Sequence, residues 1–91
     1  MLPQLELVYE ALCAEPTLSC FSRGEGKSEF LYVSSISRAV EISLENNSYW
    51  IELWDNSDPE SGDPPVREME VQSEEEVTKV VRSWCRTSKD V

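Results

Sequence analysis

Ninety-one residues, an apolar fraction of 40% and a net charge of −10 describe one small acidic domain, residues 1–91, with a limited core. That charge argues against nucleic acid and anionic membrane surfaces as partners, since both bind by pairing their own negative charge. The absence of histidine removes Ser-His and Cys-His nucleophilic chemistry and the commonest zinc ligand.

The opening Met1-Leu2-Pro3-Gln4 has neither a basic segment nor a continuous apolar run, so no export signal or membrane span is expected. A cytoplasmic setting follows, with Cys13, Cys20 and Cys85 reduced and acting as small buried hydrophobes. Pro3 suits a first helical turn, and Leu5, Val8 and Leu12 then share one face, with Tyr9 beside them. Pro16 stops the helix, which is predicted over 3–14.

A short β-prone run, Thr17 to Ser22, precedes a turn marked by Gly24 and Gly26. Glu29 to Ser34 is a second strand, rich in aromatic and branched residues. In the next segment Val40, Ile42 and Leu44 alternate with Glu41, Ser43 and Glu45. This period of two favours a strand over the helical spacing that Val33, Ile36, Val40 and Leu44 also satisfy. Asn46-Asn47 supplies a tight turn, and Tyr49 to Trp54 forms the returning strand.

Residues 55–65 hold three prolines, one glycine and four acids, the composition of an exposed acidic loop. Aligning Gly62 with the glycine of a calcium-binding EF-hand loop puts Ser57, Pro59 and Ser61 where early ligands belong, so the match fails. No metal or cofactor is expected. Val66 to Val71 is a last strand, and Ser73 with Glu76 makes a capping box for a helix over 74–86. Val77, Val80, Val81 and Trp84 form its apolar face, and a frayed tail, 87–91, follows.

The predicted fold is α+β: a four- to five-stranded antiparallel meander between an N-terminal and a C-terminal helix, both packed on one face of the sheet. Whether the loop is Asn46-Asn47 or the four residues Glu45 to Ser48, Leu44 pairs with Tyr49, Ile42 with Ile51 and Val40 with Leu53 on the core side. The opposite side then pairs Ser43 with Trp50, Glu41 with Glu52 and Ala39 with Trp54, and Glu68 and Glu70 from the last strand join them.

Directly opposed carboxylates repel. Either Arg38, Lys27 or Arg23 reaches over to neutralise them, or a partner does. The sequence thus points to an acidic protein-interaction module, an inhibitor or regulator of a basic target. Its binding surface would comprise Trp50, Trp54, Glu41, Glu52, Glu68 and Glu70. The alternative is a homodimeric structural or small-ligand-binding protein that uses the same face on itself. Packing of the two indoles into the core by a helix on each side of the sheet would remove the site. The Glu41–Glu52 spacing resembles that of carboxyl pairs in retaining glycosidases, but a flat sheet offers no water-excluding pocket, and no enzyme is expected.

Overall fold

The computed structural model describes residues 2–58 and 62–86. Helix α1 (Pro3–Cys13) leads into strands β1 (Ser19–Arg23), β2 (Phe30–Ser34), β3 (Ala39–Glu45), β4 (Ser48–Trp54) and β5 (Arg67–Val71), and helix α2 (Glu74–Arg86) follows. The strands pair strictly in sequence order as one antiparallel sheet, the meander expected from the alternating pattern. The predicted elements recur within a residue or two. The largest difference is β1, which begins two residues later than the β-prone run because Leu18 is still held in a turn by Glu15. The predicted tail, 87–91, and Pro59 to Ser61 of the acidic loop lie outside the described residues.

Both helices cover the same face. Leu5, Val8 and Leu12 of α1 and Val77 and Val81 of α2 form one cluster with Leu31, Val33, Val40, Ile42, Tyr49, Ile51 and Leu53. Burying eleven large aliphatic side chains at under 2% exposure contributes roughly 1.5–3 kcal/mol each before the entropy of folding is charged against it. The α2 N-terminus is fixed as its sequence demands. Ser73 Oγ accepts from the Glu76 amide at 3.2 Å, and Glu76 Oε1 accepts from the Ser73 and Gln72 amides at 3.1 Å.

The α1 N-terminus is held by a device the sequence does not announce. No side chain of its own caps it; instead Glu29, from just before β2, accepts the Leu2 amide at 2.7 Å and the Ser22 hydroxyl at 2.6 Å. These two donors hold the Glu29 carboxyl below the usual carboxylate range.

Two turns set the strand geometry. Asn46 and Asn47 both take positive φ, 50° and 70°, matching the twist of the β3–β4 hairpin. Gly24 sits at φ 80°, where a Cβ would lie 2.5 Å from the Ser28 carbonyl oxygen, so only glycine fits the β1–β2 connection.

Candidate functional site

The β3–β4 register is the one the sequence specifies: Glu41 opposes Glu52, Ser43 opposes Trp50 and Ala39 opposes Trp54. Strand β5 adds Glu68 opposite Glu52 and Glu70 opposite Trp50. The six residues singled out from the sequence therefore share the sheet face that no helix covers. Extending the pairing through β1 and β2 gives two rows across the strands. One row runs Phe21, Tyr32, Glu41, Glu52, Glu68, and its neighbour runs Arg23, Phe30, Ser43, Trp50, Glu70. Phe21 and Tyr32 join this face without having been singled out from the sequence, and Arg23, one of the three bases expected to reach it, belongs to it as well. The side-chain period of two, with Leu31 and Val33 in the core cluster, is the signal that places Tyr32 on the opposite face.

Neither tryptophan is core, and neither is fully exposed. Trp50 and Trp54 are half-buried, Glu41 and Glu52 likewise, while Glu68 and Glu70 are open to water. Trp54 is partly covered because the acidic loop turns back over it: its indole Nε1–H donates to the Asp63 carbonyl at 2.8 Å. Tyr32, only 7% exposed, donates its hydroxyl to the Ser57 carbonyl at 3.1 Å. The segment expected to be a simple exposed loop is thus tied by two aromatic hydroxyl or indole donors, and it walls one end of the face.

Of the three bases expected as neutralisers of the carboxylates, Arg38 is excluded. Arg38 turns toward the helices, where its guanidinium lies 4.1 Å from the centre of the Trp84 ring and donates to the Trp84 carbonyl at 3.1 Å. Its ion pair, 3.3 Å long, is with Asp55. A close aromatic ring and a carbonyl in the last turn of α2 hold that side chain on the helix side of the sheet. The Trp84 indole completes the clasp by donating to the Trp54 carbonyl at 2.9 Å. Arg82 is likewise occupied on the helix side, beside Glu15 at 3.0 Å. Arg23 is the base that acts on the face, with its guanidinium 5.9 Å from the Tyr32 ring centre.

The electrostatics follow. Desolvation raises the Glu41 carboxyl above its usual range, the Glu52 charge raises it further, and Arg23 only partly offsets the two. Among the described residues no hydrogen bond or ion pair reaches the Glu41 or Glu52 carboxylate.

The cysteines correct a second expectation. Cys20 and Cys85 pack half-buried against the core, and burial pushes their thiols up to about 12 and about 11. Cys13 ends α1 exposed rather than buried.

No described helix is long and apolar enough to cross a membrane. Compared with family models, with curated proteins and with solved structures, the chain finds no match.

Proposed function

We propose that this protein is an interaction module that docks a basic protein partner on the uncovered sheet face, as an inhibitor or regulator of that partner within a reducing cytoplasm. The observation that carries the reading is the row Glu41–Glu52–Glu68, where like charges stand directly opposed and Arg23 offsets the charge on Glu41 only in part. An isolated fold gains nothing from such a row, since opposed like charges destabilise a ladder. Cationic side chains from a partner convert the same row from a cost into a gain, and complementary potential speeds their encounter. Trp50 and Trp54, half-buried beside the acids, supply the large apolar anchors that interface centres favour.

Pairing two copies through this face is the weaker reading. It would bring carboxylate rows together and add to the repulsion rather than relieve it.

The test compares wild-type protein with Trp50→Ser for binding to poly-L-arginine at low and high salt. The substitution leaves net charge unchanged, so diffuse attraction is the same for both proteins. The proposal expects at least about tenfold weaker binding by the variant, a loss of hot-spot size. Equal affinities would show that the indole face takes no part.

A further inference from the structure

Where the acidic loop turns back over the sheet, a cleft of about 140 Å³ opens between the two. Tyr32 and Trp54 form aromatic walls, Glu41 lines it from the sheet, and Asn56, Asp58 and Asp63 line the loop side. We infer that this cleft receives the cationic head of a single side chain from the partner, arginine before lysine, and so acts as the anchor point of the docking face. The inference rests on the proposed function and adds to it a position and a ligand chemistry.

Three features converge. The cleft is a partly open space large enough for a guanidinium yet small for a drug-sized ligand. Its walls are two electron-rich rings, the surfaces that attract cations, and their polar atoms are already bound: the Tyr32 hydroxyl and the Trp54 indole N–H both go to loop carbonyls. The rings are thereby held in place before any ligand arrives, which lowers the ordering cost of binding.

Acidity alone would not select a side chain. The Glu41 carboxylate does so because it is half-buried, has no hydrogen-bond or ion-pair partner among the described residues, and repels Glu52. Asp58 and Asp63 already have partners, Asp63 through the Asn56 side-chain amide, and add to the background potential.

The molecule carries its own precedent. Arg23 already places a guanidinium near the Tyr32 ring, at 5.9 Å, and acts on Glu41. It approaches from β1, whereas the loop residues approach from beyond Trp54. An incoming arginine would find a charged, ring-lined position that the internal one serves only at a distance. A planar guanidinium stacks on such rings and offers several donors to one carboxylate, which a lysine ammonium does not.

The probes are Nα-acetyl-arginine amide and its uncharged isostere, Nα-acetyl-citrulline amide, titrated while the Trp54 indole N–H resonance is followed by NMR. The expected result is a saturable shift with the arginine probe, none with citrulline, and about tenfold weaker binding for Glu41→Gln. Trp50→Ser, read with poly-L-arginine as above, tests the wider face separately. Equal shifts from both probes, or a Glu41→Gln titration identical to wild type, would overturn the cleft assignment. If poly-L-arginine binding still depends on Trp50 in that case, the docking face stands and only its anchor falls. If Trp50→Ser changes nothing either, both fall.

Discussion

Replacing Glu52 with glutamine should make the protein more stable. Glu52 stands between Glu41 on β3 and Glu68 on β5, so one substitution removes two like-charge contacts and keeps the shape of the side chain. Opposed Cβ atoms in an antiparallel ladder lie about 5 Å apart. Two unit charges at that distance repel by roughly 3 kcal/mol at an effective dielectric near 20 and by about 0.8 kcal/mol in bulk water. Glu41 and Glu52 are half-buried and Glu68 is exposed, which places the pair energies toward the aqueous end. A net gain of about 1 kcal/mol is therefore expected for Glu52→Gln at neutral pH, or about 4–8 °C in Tm for a domain of this size. Urea unfolding followed by tryptophan fluorescence measures it. The gain should shrink in about 1 M salt, where the Debye length is about 3 Å. A variant that is no more stable than wild type at low salt would refute the reasoning, because the opposed carboxylates would then not feel one another.

Other consequences follow from the same geometry. Arg38→Ala should cost about 1.5–2 kcal/mol in urea unfolding, through the lost Trp84 stack and the hydrogen bond to the Trp84 carbonyl. Asp55→Ala, which removes only the 62%-exposed partner of the ion pair, should cost almost nothing; equal costs would mean that the pair and not the stack holds the clasp. The pH dependence carries two opposite signs. Because the folded protein binds the Glu41 proton more tightly than the unfolded chain does, stability should rise as pH falls through the window just above the usual carboxylate range. The lowered Glu29 carboxyl works the other way, its contribution being lost as pH falls from the usual range through its folded value. Urea midpoints against pH should therefore lose the first limb in Glu41→Gln and the second in Glu29→Gln. Finally, a thiol reagent at mildly alkaline pH should label Cys13 quickly and Cys20 and Cys85 slowly, since burial leaves those two almost wholly protonated. Cys13→Ser should abolish the fast phase, and two fast thiols in the wild type would contradict the packing.

Much of this structure was legible in the chain because several signals agreed at the same residues. In the β3–β4 hairpin, strict alternation, two asparagines tolerant of positive φ and the penalty for burying Glu41 and Glu52 allow a single register. At α2 the capping box and the apolar face start and orient the helix without help from elsewhere. What stayed hidden depends on contacts between remote segments. Nothing local marks Glu29 as the cap of a helix 27 residues earlier in the chain, and nothing in residues 55–65 says that the loop will return to Trp54 and Tyr32. The side taken by Arg38 was equally out of reach. It depends on where α2 lays Trp84, which is settled by the packing of the whole helix layer. The exposure of Cys13, by contrast, follows from its place off the Leu5, Val8 and Leu12 face of α1.

The most direct measurement is a map of amide shifts on adding a short arginine-rich peptide to labelled protein. Shifts concentrated at Trp50, Glu52, Trp54, Glu68 and Glu70, fading as salt is raised, are the outcome this account predicts. Shifts spread along residues 74–86 of the helix layer, or scattered evenly over the acidic surface, would contradict it.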